Sequence, residues 1–336
     1  MRHIAVASVL VVIVTLLLIL LLTSTNLLPG LASEEGAFVD EMFRAQIYVI
    51  AFIFSLIVVL VLYSVVVFRK RPGDEGEGQY VKGNTALEIG WTLVPLIVVM
   101  VFATWGALHL TEITAGEEGE LIVEVTGFQF GWRFDYPQSG VSSDELWLPL
   151  NRQVLFRITS RDVIHSFWVP EFRLKQDAVP GRWTELRVKP TETGDYRLRC
   201  AELCGYAHAA MISRVVVVEP AAFEAWLQGL SVAQPTGDTS PAGRGATLVR
   251  DNGCTACHSV DGTTLVGPTW QGLYGSEREL EDGTTVTADE EYLRSSILDP
   301  QSQVVAGFPN VMPAAYNFLP DEDIMAIVEY IKTLGR

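Results

Sequence analysis

The sequence predicts a multidomain chain. An N-terminal transmembrane helical hairpin, preceded by a signal peptide or an extra span, leads into an all-β sandwich and then a small all-α domain. Three observations support this. Long apolar runs are confined to the first 110 residues or so of 336. Short alternating runs fill roughly 120–218. Beyond a Pro/Gly/Ser/Thr stretch at 231–243, apolar residues recur at helical spacing. The expected boundaries are 1–23 for the leader or first span, 24–112 for the hairpin, 113–230 for the sandwich, 231–243 for a linker and 244–336 for the helical domain.

Residues 4–22, IAVASVLVVIVTLLLILLL, follow Arg2 and His3 and are long enough for either a signal sequence or a span; GLAS at 30–33 offers a cleavage site. Residues 46–68 form a second apolar run, closed by Arg69, Lys70 and Arg71. Basic residues stay on the cytoplasmic side, so this span should run inward and a second, at about 88–110, should return outward. Everything after Thr111 then faces the periplasm or the exterior. The runs LIVEV, LWLPL, QVLFRIT, TELRV, DYRLR and SRVVVV read as strands separated by turn residues, AAFEAWLQ at 221–228 as a short helix, and DEDIMAIVEYIKTLG as a closing helix with an acidic first turn.

Net charge is −16, which argues against nucleic acid as a partner. Residues 244–336 alone hold 14 acidic and 6 basic side chains, which would attract a basic electron donor. All four cysteines fall in two short motifs, leaving none for a structural disulfide. The second motif, CTACH at 254–258, has the spacing that attaches haem covalently: Cys254 and Cys257 reach two vinyl groups and His258 faces the iron. A thiol–disulfide motif is the competing reading. Met312, in a Pro-flanked loop, is the preferred sixth ligand over Met325, which lies on the apolar face of the last helix. The Pro268 carbonyl is placed to take the His258 Nδ1 hydrogen.

The first motif, CAELCGYAHAAM at 200–211, offers Cys200, Cys204, His208 and Met211, with His165 upstream in DVIHSFWVP. Two thiolates, imidazole and thioether suit copper better than zinc, and two bridging thiolates can hold two copper ions. A mononuclear or metal-free sandwich is the alternative.

With HSFWVP and DAVPGRW upstream of it, this motif resembles subunit II of the haem–copper cytochrome c oxidases, and the C-terminal stretch resembles a class I cytochrome c, as in the cytochrome-c-fused members of that family. The resemblance spans the whole chain. It implies a cupredoxin sandwich with a dinuclear CuA centre held by His165, Cys200, Cys204, His208, Met211 and the Glu202 backbone carbonyl, and a Mg or Mn ion shared by the Glu202 side chain with subunit I. It implies partnership with subunit I and other oxidase subunits, an external donor such as a basic cytochrome c, and a multi-pass place in a bacterial plasma membrane. Glu88, in LEIGWTLVP, matches the acid at the entrance of a proton pathway. In GFQFGWRFDYP this chain carries Phe130 where the family has its electron-accepting tryptophan, while Trp132 is retained as a possible electron path. Asp162, Asp177 and Arg182 flank these motifs, either ordering the subunit I contact or only pairing charges. His3 and His109 are read as interfacial.

The function so implied is delivery of electrons, through haem c and CuA, to a subunit that reduces O2 to water and translocates protons. Two other readings stay open: the same role in a CuA-containing nitric oxide reductase, and a standalone membrane-tethered electron carrier. Glu88 favours oxygen reduction, and Glu88 with Glu202 argues against a standalone carrier. A copper-storage or assembly role has no use for CTACH.

Overall fold

The computed structural model describes residues 2–25, 27–73, 76, 78, 80–233, 240–314, 316 and 319–335. It divides into two compact units, residues 1–115 and 116–336.

The first unit contains three helices long and apolar enough to cross a membrane: α1 (Arg2–Ser24), α2 (Glu34–Val67) and α3 (Thr85–Ile113). α2 begins well before the apolar run at 46. The Ser33 hydroxyl caps it by accepting from the Gly36 amide at 3.0 Å, and Glu34 and Glu35 sit where the helix dipole favours acids. Hydropathy marks the lipid-compatible part of such a helix, whereas its cap marks the true start. α3 is likewise capped by Asn84 and tolerates Pro95 within it. α1 packs on α2, and the buried residues are small or short: Ala7 and Val11 on one, Ala51, Ser55 and Val59 on the other. Small side chains let helix backbones approach where apolar burial gives no net drive. His3 bonds the Tyr63 hydroxyl at 2.8 Å, so the basic start of α1 lies beside the end of α2 that leads into Arg69–Lys70–Arg71. Phe38 of α2 stacks on His109 of α3 at 4.8 Å.

The second unit opens with ten strands: β1 (Leu121–Phe128), β2 (Gly131–Tyr136), β3 (Val141–Ser143), β4 (Leu146–Pro149), β5 (Val154–Ser160), β6 (His165–Trp168), β7 (Lys175–Ala178), β8 (Thr184–Val188), β9 (Gly194–Cys200) and β10 (Ile212–Val218). They form two five-stranded sheets, ordered β3-β2-β1-β5-β8 and β4-β10-β9-β6-β7. Alternation drives the packing. Val123 and Val125 of β1, Phe134 and Tyr136 of β2, and Phe156 and Ile158 of β5 are almost wholly buried, as are Leu146, Leu148, Phe167, Leu198 and Val215 from the other sheet. Each such side chain contributes about 1.5–3 kcal/mol by leaving water. Tyr136 spends its hydroxyl on the Trp147 backbone, donating to O at 2.9 Å and accepting from N at 2.8 Å. Strands β2, β3, β6 and β7 were not among the runs expected from sequence; β3 is three residues long, β6 mixes a ligand with aromatic and polar residues, and β7 is largely polar. α4 (Pro220–Ala233) follows β10 and stacks Trp226 on Trp147 at 5.2 Å.

Of the stretch read as a linker, 231–233 complete α4 and 241–243 open α5 (Pro241–Asp251), while 234–239 lie outside the described residues. The remaining domain is helical in its frame, with α6 (Glu290–Leu298) and α7 (Asp321–Thr333), and adds a hairpin of β11 (Glu277–Glu279) and β12 (Thr285–Thr287) that the sequence did not suggest. Its core joins Val249, Trp270, Leu273, Tyr292, Leu293, Ile324, Ile327, Val328 and Ile331. The crossing of α5 over α7 is close enough that a Cβ at Gly245 would collide with the Ala326 carbonyl. Gly245→Leu therefore forces the two helices apart. It should destabilise this domain by about 1–3 kcal/mol, the usual cost of overpacking. Thermal unfolding followed by circular dichroism would show a helical transition at lower Tm, with the sandwich transition unmoved.

Candidate metal centre and haem cavity

Three neighbouring strands gather the first ligand set. β6 begins at His165, β9 ends at Cys200, and β10 begins one residue after Met211. Pairing of β6 with β9 places Phe167 opposite Cys200 and fixes the register between His165 and the thiol. The loop 201–211 then folds back with a single 3-10 turn at His208–Ala210.

All six residues named from the sequence converge here. The Sγ atoms of Cys200 and Cys204 lie 3.7 Å apart. His165 Nδ1 is 3.9 Å from Cys200 Sγ, and His208 Nδ1 is 3.5 Å from Cys204 Sγ. Met211 Sδ lies 3.8 Å from Cys204 Sγ, and the Glu202 carbonyl lies 3.2 Å from Cys200 Sγ. Each thiol thus has its own imidazole, with one weak axial-type donor on either side. This donor set fits two soft cations bridged by sulfur, and copper is the metal that such ligands select. His165, Cys200, Cys204 and Met211 are buried, while Glu202 is exposed at the loop tip.

Burial opposes a thiolate at Cys200, but hydrogen bonds from His165 and the nearby backbone outweigh it and bring that thiol down to about 6. Cys204 is pushed up to about 12 by burial and by the charge of Cys200 beside it. One negative charge forms readily, and the second needs a cation in place of its proton.

Asp162 orients one of the ligands. Its Oδ1 accepts from His165 Nε2 at 2.7 Å, leaving Nδ1 turned to the thiols. Its Oδ2 accepts the Gln129 amide at 2.7 Å. Asp177 accepts from Ser166 Oγ at 2.8 Å, one residue from the ligand. Trp132 is buried, edge-on to His165 at 6.1 Å, so it packs against the ligand and offers no surface. Glu88 belongs to the first unit, exposed in the first turn of α3.

The second ligand set shares one cavity. Cys254, Cys257, His258 and Met312 all line it, together with Val305, Phe308, Tyr316 and Ile327, whereas Met325 is not among its lining residues. Its empty volume, open mouth included, is about 1320 Å³. His258 Nδ1 donates to the Pro268 carbonyl at 2.8 Å and the ring stacks on Trp270 at 5.0 Å, which leaves Nε2 free to bind iron. A Cβ at Gly267 would press on the imidazole, so the ring fills a fitted slot. Burial lowers the His258 pKa and keeps it neutral, as a ligand must be. Burial also pushes Cys254 up to about 12 and raises Cys257. A redox CxxC motif ordinarily shows the opposite shift at one of its thiols. A large planar apolar group suits this lining.

Sequence reasoning singled out Phe130 but missed the other residues that join the two sites. Gln129, Phe130, Tyr206 and Ala207 of the sandwich also line the haem-sized cavity. Tyr206 and Ala207 belong to the copper-ligand loop itself, between Cys204 and His208. Gln129 Nε2 donates to the Cys204 carbonyl at 2.6 Å. Their position beside the motifs was the available signal, but their contacts are long-range.

A buried soft-metal centre on a β-sandwich, coupled to a helical haem-type pocket and carried behind membrane-length helices, defines a membrane-anchored electron-transfer protein. The chain belongs to the cytochrome c oxidase subunit II family, with a cytochrome c domain at its C-terminus. Family models match the transmembrane domain of cytochrome c oxidase subunit II over residues 26–107, its periplasmic domain over 138–219, and cytochrome c over 242–335. Cytochrome c oxidase subunit 2 of Alkalihalophilus pseudofirmus is 36% identical over 298 residues, covering 83% of this chain and 84% of that protein. The subunit 2 of Thermostichus vulcanus is 35% identical, covering 60% and 77%, and that of Bacillus subtilis is 29% identical, covering 82% of each.

Removing the carboxylate that orients His165 should weaken metal binding without unfolding the sandwich. Asp162→Ala is expected to lose about 10–100-fold in copper affinity, read by competition with a chelator.

Proposed function

We propose that this chain is the subunit through which electrons enter a membrane-bound terminal oxidase. Electrons would pass from an external donor through haem c and CuA to a haem–copper subunit I that reduces O2 to water with proton translocation. The observation that carries this reading is the shared wall: residues 206 and 207 of the copper-ligand loop line the cavity that holds CTACH.

When bound, the haem and the copper pair each take up and release single electrons. The chain's own residues set the conditions. Cys254 and Cys257 would anchor the haem, and His258 and Met312 would be the residues that hold its iron. His165, Cys200, Cys204, His208, Met211 and the Glu202 carbonyl would hold the coppers, on strand ends that a packed sandwich keeps still in both redox states. Trp132 shields His165 and excludes water from it.

Contact with subunit I is supported by the two ligand-bearing loops, which expose Val163, Ile164 and Leu203. Isolated apolar side chains are common on surfaces, but a cluster at a redox site suits burial by a partner. Exposed Glu202 beside them would complete a Mg or Mn site there, since a hard cation takes carboxylate oxygen. Glu88 would admit protons at the edge of α3. The basic ends of α1 and α2 lie on one side, which suits a multi-pass anchor in a bacterial plasma membrane with the second unit on the periplasmic face. The acidic haem domain would attract a basic donor, and added salt would weaken that attraction.

The test uses the full chain in detergent, produced with c-type haem maturation and loaded with copper. Electron paramagnetic resonance and visible spectra at stepwise reduction should show a mixed-valence dicopper signal beside a low-spin haem. A mononuclear copper signal, or none, overturns the reading and leaves a tethered cytochrome. A second outcome concerns the axial ligand. Met312→Ala should retain covalent haem but convert it to high spin and lower its potential, because a thioether ligand raises it. Met325→Ala should leave both unchanged.

A further inference from the structure

The haem domain and the sandwich meet at Arg161. This residue precedes Asp162 directly and His165 by four positions, yet it binds neither thiol nor imidazole. Its guanidinium lies over the Phe128 ring, 5.2 Å from the centroid. Its Nη1 donates to Asn252 Oδ1 at 2.9 Å. Asn252 is 5% exposed, and its Nδ2 donates to the Leu248 carbonyl at 2.8 Å, which turns Oδ1 toward the arginine. The next residue, Gly253, has φ 69°, where a side chain is strained, and a Cβ there would also run into the Phe128 ring. Cys254 follows. One guanidinium and one ring on the copper side are thus keyed to the two residues that lead into the haem-attachment motif.

We infer that Arg161 is a positioning residue that, with Phe128, latches the haem domain onto the copper domain through Asn252 and Gly253 and holds the cavity mouth against the Cys204–His208 loop. This deepens the relay reading and rests on it. The chemistry calls for arginine. A planar guanidinium stacks on an aromatic face while donating in its own plane, which a lysine ammonium cannot do. The latch sits on the loop that carries Asp162, the residue that orients His165, so a change in docking is felt beside the metal ligand.

The test compares full-length Arg161→Ala, Arg161→Lys and Phe128→Leu with the parent chain in detergent, all loaded with haem and copper. Two readouts are taken: haem-to-copper electron transfer after photoreduction at rising viscosity, and hydrogen exchange at residues 128–130 and 252–253. The parent should transfer at a rate indifferent to viscosity. Arg161→Ala should keep both cofactor spectra, slow the transfer by about tenfold, the scale of one charge-assisted hydrogen bond, and make it fall with viscosity, with faster exchange at both segments. Arg161→Lys and Phe128→Leu should lie between. Parental rates and exchange in Arg161→Ala overturn the latch. If the parent itself shows no dicopper signal, the relay reading fails, and exchange alone then decides the latch.

Discussion

Two thiols 3.7 Å apart set the terms for the rest of the second unit. As thiolates they repel, so a loose loop would let them separate as soon as both ionise. The structure prevents this by placing Cys200 at the last residue of β9 and Met211 immediately before β10, so the loop between them is closed by a strand pair at its base. His165 is tied to the same frame by the β6–β9 pairing and oriented from behind by Asp162. The aromatic and aliphatic core beneath supplies stiffness without any polar group that would compete for the metals. What the sandwich contributes is a fixed geometry, and its fold is intelligible as the means of keeping two like charges together.

The haem cavity follows another logic. Its ligands come from a short stretch around a 3-10 turn and from a distant loop, and its walls come from α6, α7, the loops between them and part of the sandwich. Gly245 and Gly267 mark the places where this arrangement leaves no room, one where helices cross and one where the axial imidazole is seated. The Pro268 carbonyl and the Trp270 ring together leave that imidazole one orientation and one free nitrogen.

Much of this was legible in the sequence because the ligands are local. Twelve consecutive residues hold five of the six copper-site donors, and five hold the haem anchor, so spacing alone carries the chemistry. Six strands with regular alternation were also readable. The shorter β3, β6 and β7 were not, because β3 has only three residues, β6 opens on a ligand and β7 is largely polar. Helix α2 exceeded its apolar window because its first turns are specified by a cap and acids, not by hydropathy. Asp162 was visible as a flanking charge but its partner was not. Gln129, Arg161 and Asn252 lie beside motifs, but their partners could not be read locally, since each acts through a residue more than 30 positions away.

The shared wall has a consequence for how the protein is built. In the relay reading, a haem must be brought to Cys254 and Cys257 by whatever catalyses the thioether bonds, and the cavity those thiols face is partly closed by Gln129, Phe130, Tyr206 and Ala207. On that reading, attachment has freer access while the C-terminal domain stands away from the sandwich. The same packing would favour an order of biogenesis: haem attachment first, closure last. A chain that closes early would be trapped as a folded protein with an empty relay.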